Sequence, residues 1–173
     1  WKSRPTDRGD SDRLRLKWLM WHLTSTDREL RDTATRAVYW FGRGDPPALF
    51  EEAINSLEIN DPYIPERMMA ASYGVAMAHR AEFERESFAS KELLGFARKV
   101  YGAIFSEDAP HSTTHILLRE YAARVIELAN LHEPAHFSAD ELTRSTAPFS
   151  MSDLAHWGLK ERSKDADGTA SEP

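Results

Sequence analysis

Cysteine is absent from this 173-residue chain. That absence excludes a disulfide framework, a thiolate metal site and a cysteine nucleophile together. Long apolar runs are missing as well. Stretches such as Ala37 to Phe41, Tyr73 to Ala78 and Val100 to Phe105 fall far short of the roughly 18 residues that a membrane-spanning helix requires. β-Branched aliphatics are scarce: four valines and six isoleucines stand against 22 alanines, 16 leucines and 16 glutamates. Strong helix formers thus outnumber strand formers by 54 to 10, and the chain is expected to be all-α. Positive charge does not dominate either. With 22 basic and 28 acidic residues the net charge is −6, so a surface for nucleic acid has little electrostatic support. No apolar leader follows Trp1, where Lys2, Arg4, Asp7 and Arg8 stand instead, and a cytoplasmic setting is expected. A start on tryptophan rather than methionine fits a processed or excised piece.

Helix punctuation divides the chain into six expected helices. The first runs from about Asp12 to Leu23 behind Ser11 as N-cap, with Leu14, Trp18 and Trp21 along one side and Leu16, Leu19 and Leu23 along another. The second follows Ser25 or Thr26 and reaches Phe41. Thr26 and Glu29 have the spacing of a capping box, and Gly42 and Gly44 end the helix. Asp45-Pro46-Pro47 opens a third helix to about Leu57, because prolines in a first turn give up no helical hydrogen bond. Asn60-Asp61-Pro62 stops it. A fourth helix, with Pro65 as its first residue, runs to His79; a fifth covers Ser90 to Phe105, and a sixth Thr113 to Leu131.

These six pair into three hairpins, and the second member of each carries a related pattern: Arg31-x-x-Ala34-x-x-Ala37, Arg67-x-x-Ala70-x-x-Tyr73 and Arg119-x-x-Ala122-x-x-Val125. A small residue one turn after each arginine is a place where a neighbouring helix can come close. The arginines are 36 and then 52 residues apart, which puts an insertion around Glu82 to Ser90. Any amphipathic helix rich in Arg and Ala matches such a pattern, but hairpins recurring at this period also characterise HEAT and armadillo arrays. The expected fold is therefore a HEAT-like right-handed solenoid of about three hairpins. Its expected divisions are an N-terminal extension (1–11), the repeat domain (12–137), a loosely packed segment (138–162) and a disordered polar tail (163–173). In the third division, Leu154, Trp157 and Leu159 form a short packing segment.

Few residues carry the marks of catalysis. His132-Glu133-Pro134-Ala135-His136 has the letters of the H-E-x-x-H zinc signature, which works because one continuous helix turns both histidines to the metal. Pro134 disfavours that helix. A zinc-dependent hydrolase using His132, Glu133 and His136 is nonetheless the alternative function. His111 and His115 are four apart at a helix start with no third ligand. Gly42-Arg43-Gly44-Asp45 lacks the lysine and spacing of a phosphate loop. Tyr63 offers a contact surface beside the Asn60-Asp61-Pro62 turn. Arg31 with Asp32, and Arg119 with Glu120, are expected to form ion pairs between neighbouring repeats.

Three blocks stand in order along the chain: Leu23-Thr24-Ser25-Thr26-Asp27-Arg28-Glu29-Leu30-Arg31-Asp32, Asn60-Asp61-Pro62-Tyr63-Ile64-Pro65-Glu66-Arg67 and His115-Ile116-Leu117-Leu118-Arg119-Glu120-Tyr121-Ala122. Together they resemble the helical-repeat region that lies C-terminal to the nucleotide-binding core in large bacterial NACHT or STAND-type ATPases associated with phage defence. The ATPase motifs of such proteins do not occur in this sequence. The resemblance implies a piece of the sensor or scaffold, without catalysis or cofactor, whose partner is a protein or another domain of a longer parent chain. An array of this kind presents a concave surface lined by one helix of each hairpin. Exposed positions on the second helices are the expected partner-binding residues: Arg28, Arg36, Glu66 and Arg124.

Overall fold

A computed structural model describes residues 1–3, 8–79 and 92–149. Among them lie seven α-helices, one 3-10 turn and no strand. The helices are α1 (Asp10–His22), α2 (Arg28–Gly42), α3 (Pro46–Asn55), α4 (Tyr63–Ala78), α5 (Leu94–Ile104), α6 (Ile116–His132) and α7 (Ala139–Thr146), with the 3-10 turn Ser56–Glu58 after α3. Each expected pair packs together: α1 on α2, α3 on α4, and α5 on α6. The second members also touch in sequence, α4 lying between α2 and α6. One hydrophobic core runs through these contacts, with Phe41, Leu49, Met69, Val100 and Ile126 fully buried.

Local chemistry sets the helix starts, in some places differently from the sequence reading. Asp45 accepts a hydrogen bond from the Ala48 N–H, ahead of Pro46 and Pro47 in the first turn, as expected for α3. α1 begins before Ser11, with Gly9 at its N-cap and Asp10 and Asp12 in its first turn, where negative charge meets the positive end of the helix dipole. At α2 the cap is Asp27, which accepts from the N–H groups of Glu29 and Leu30. Glu29 then falls too early for a capping box with Thr26. α4 starts at Tyr63, so Pro65 sits inside the first turn rather than at its head. His115 caps α6, its Nδ1 accepting from the Leu118 N–H at 3.3 Å. The full capping box occurs at Ser138 and Glu141, opening α7 in a segment expected to be loosely packed. Ser90, the insertion around Glu82 to Ser90, the segment of Leu154, Trp157 and Leu159, and the tail 163–173 lie outside the described residues.

Two described residues of the N-terminal extension, Trp1 and Arg8, are anchored to the helices. Trp1 donates from Nε1 to Asp12 at 2.7 Å and sets its ring edge-on to Phe41 at 5.2 Å. The Arg8 guanidinium donates to the carbonyls of Trp40 and Phe41 at the end of α2, where unpaired helix carbonyls concentrate negative charge.

Gly42 is the last residue of α2, not a residue beyond it. Its service is close approach. A Cβ there would stand 2.2 Å from Leu49 Cδ2 on α3 and 2.9 Å from Val75 Cγ2 on α4. Leu49 and Val75 are both fully buried, so neither can swing away. Gly42→Ala should therefore overpack this three-helix junction and cost about 2–3 kcal/mol. Thermal unfolding would then shift down by roughly 5–10 °C. An unchanged Tm would mean that α3 and α4 do not close on α2 this tightly.

Candidate functional site

The three sequence blocks converge at the first turns of α2, α4 and α6. There Arg67 Nη1 of α4 donates to Asp32 Oδ1 of α2 at 2.8 Å. Asp32 also faces Arg28, 3.7 Å away. The neighbour of Arg67 in sequence, Glu66, is buried, with Oε1 3.5 Å from Arg67 Nε and Oε2 3.4 Å from His115 Nε2 at the cap of α6. Because His115 Nδ1 already accepts a backbone N–H, the ring proton belongs on Nε2, pointing at the Glu66 carboxylate. A polar chain thus runs Arg28–Asp32–Arg67–Glu66–His115 and spans all three second helices.

The repeated arginines share a sequence position but differ in what they bind. Arg31 donates to the Ser25 carbonyl and lies over the ring of half-exposed Tyr63 at 5.6 Å. Arg67 makes the ion pair between α4 and α2, with Asp32. Arg119 is not paired with Glu120. Its guanidinium lies 4.8 Å from the Phe105 ring and 5.6 Å from that of Phe149, and it donates to the Ala147 carbonyl at 3.0 Å. Burial there draws its pKa below the ordinary guanidinium value. Of the small residues after the arginines, Ala34 and Ala122 are buried, whereas in α4 the buried position passes to Ala71, one residue past Ala70.

A second arginine completes the hold on the C-terminal segment, and no motif marked it. Arg98 of α5 pairs with Glu141 at 2.6 Å, donates to the His136 carbonyl and covers the Phe137 ring at 4.1 Å. The Ser138 N–H, followed by Arg98, holds the Glu141 carboxyl below its usual range. Arg98 and Arg119 together fasten α7 to α5 and α6.

The four expected partner-binding residues fare differently. Glu66 is buried rather than exposed, because the cap of α6 folds over it. Arg28 is 86% exposed, and among the described residues it is engaged only by Asp32, one turn away. Arg124 lies between Glu127 at 2.6 Å and Glu120 at 2.8 Å on its own helix, and hydrogen bonds to these two, Glu127 first, raise its pKa. It also lines a cleft of about 710 Å³ between α6 and residues 145–149, together with Ile116, Ala123 and Phe149. Arg36 is exposed, with no ion pair among the described residues. Arg28 and Glu66 belong to one polar chain; Arg36 and Arg124 stand apart from it.

The H-E-x-x-H letters do not build a zincin helix. His132 ends α6, and Glu133 is extended (φ −123°, ψ 94°). The chain then turns through Pro134 and Ala135, closed by the His136 N–H bonding the Glu133 carbonyl at 3.0 Å. Ala135 takes φ 70°, a left-handed geometry that breaks the helical spacing of the two histidines. Among the described residues no group of three or more His, Asp or Glu side chains converges to hold a metal ion. His111 sits in the loop before α6, its N–H bonded to the Ala103 carbonyl, while His115 turns its Nε2 to Glu66.

Asp32 makes the polar chain pH-sensitive. The hydrogen bond from Arg67, aided by the charges of Arg67, Arg28 and Arg31, holds its carboxyl below the ordinary 3.8 against an opposing effect of desolvation. A depressed carboxyl contributes stability above its unfolded value and loses it as pH falls through the lowered folded value. Asp32→Asn should therefore lower the urea midpoint at neutral pH, and the gap to wild type should close in strong acid. A gap independent of pH would show that the ionised carboxylate contributes nothing.

Compared with known proteins, the chain matches no family model, no curated protein and no solved structure.

Proposed function

We propose that this chain is a non-catalytic helical-repeat module, a HEAT-like right-handed array of about three hairpins, which serves as a scaffold or sensor surface within a longer bacterial defence-type ATPase. The observation that carries this reading is the polar chain joining the first turns of α2, α4 and α6. Repeat arrays gain their stability from contacts between successive units, and this chain spends its best-placed charged residues on such contacts rather than on a reaction centre. The second helices then offer their outer positions to a partner, either a protein or another domain of the parent chain. Arg36 has no ion pair among the described residues, and Arg124 borders the cleft beside α7.

Pull-down with the chain, comparing wild type with the Arg36→Glu/Arg124→Glu double variant, tests the assignment. Loss of a specifically captured partner, with helicity retained, is the expected result. Equal capture by both proteins would refute the proposed binding face.

A further inference from the structure

Arg119 is a cation partly withdrawn from water with no carboxylate to face among the described residues. Its guanidinium is held near the rings of Phe105 and Phe149, and the Ala147 carbonyl takes Nη2 at 3.0 Å. Nε and Nη1 have no partner among the described residues. Burial moves its proton affinity downward, and no carboxylate opposes that shift. Taking a guanidinium out of water costs free energy that a neighbouring carboxylate normally offsets. The two rings and one carbonyl offset part of that cost, and the remaining donors are left for a ligand.

The side chain lines a pocket of about 250 Å³ where α5, α6 and α7 meet. Arg144 of α7 lines it too, and among the described residues it has no ion pair. Ser112 adds a hydroxyl that bonds to no other described group. Glu107 is the single carboxylate in the described lining; it is exposed and pairs with neither arginine.

Size and charge choose the ligand. Sites for drug-sized molecules run to roughly 300–1,000 Å³, so this pocket suits a compact ion or a single substituent group. Two guanidiniums and a hydroxyl offer more donors than the two oxygens of a carboxylate can engage. A phosphate group brings at least three acceptor oxygens and up to two negative charges. The planar arginine fork matches such oxygens in pairs, and the neighbouring rings set the fork of Arg119 in place beforehand. The larger cleft that Arg119 also lines is less suited to an anion, because Glu120 and Glu127 border it and already hold Arg124.

We propose that the pocket between α5, α6 and α7 is an anion site in which Arg119 and Arg144 bind the phosphate group of a small molecule. The proposal rests on the packing of these three helices and is independent of the scaffold role.

NMR titration of the chain with inorganic phosphate tests it, at an ionic strength held constant with sodium chloride and with acetate as a second arm. Phosphate should saturably shift the Arg119 Nε–H signal and the amides around Ser112 and Ala147, and bind at least about tenfold more tightly than acetate. Arg144→Gln should weaken that binding at least about tenfold with an unchanged Tm, since its side chain is exposed. Glu107→Gln removes the opposing charge and should tighten it, while Arg36→Gln, on α2, should leave it unchanged. Shifts that never saturate, or that survive Arg144→Gln in full, would overturn the proposal. So would acetate binding as tightly as phosphate, a looser complex with Glu107→Gln, or equal weakening by Arg36→Gln.

Discussion

Replacing Phe96 by alanine is expected to cost about 3–5 kcal/mol, the range for deleting a buried aromatic side chain. Phe96 on α5 is almost fully buried and stacks on Phe50 of α3 with ring centroids 4.2 Å apart and planes 3° from parallel. This pair joins the first helices of the second and third hairpins. The truncation removes the transfer energy of the ring, the stacking contact and the close packing on both sides, and α5 cannot slide to refill the gap without leaving α6. In calorimetry the Tm should fall by roughly 10–15 °C. Phe96→Leu keeps most of the volume and should lose far less. A loss below about 1 kcal/mol for the alanine variant would mean that α3 and α5 do not share a core.

Arg67→Ala should be the most damaging of the polar substitutions, at about 2–3 kcal/mol. Removing one partner of a buried ion pair leaves the other charge desolvated without compensation. Here Glu66 would keep only His115 among the described residues, and α2 would lose its ion pair to α4 while the two helices stay packed. The figure is set below that for a fully buried pair because Asp32 is half-exposed and water can replace part of the contact. A double-mutant cycle in urea tests the account: Glu66→Gln should recover part of the loss when combined with Arg67→Ala. Strict additivity would show that the two side chains do not act on each other.

What the amino-acid sequence determined by itself was local. Alanine, leucine and glutamate over valine and isoleucine made the chain helical. Asp45-Pro46-Pro47 opened α3 where the capping rules place it, and Pro134 spoiled the H-E-x-x-H helix. Each of these effects acts within about four residues of chain, the reach of a helical hydrogen bond. That the arginines stand near the starts of their helices was legible on the same basis, although Arg67 falls one residue further past its cap than Arg31 and Arg119 do. Capping was the weaker local signal: Thr26 and Asp27 both have a cap-forming side chain, and only the backbone geometry at Asp27 chose between them. What the arginines bind was decided by the tertiary structure. Asp32 and Arg67 are 35 residues apart, Glu66 and His115 49 apart, and burial follows from which helix arrives on which face. Glu66 reads as a solvated charge until the α6 cap closes over it, and Gly42 reads as a helix stop until α3 and α4 meet against it. α7 has few apolar residues of its own beyond Leu142; its Ser138–Glu141 box and the reach of Arg98 and Arg119 hold it in place. Helix formation is a short-range property, whereas burial and pairing depend on neighbours that the chain brings together only on folding.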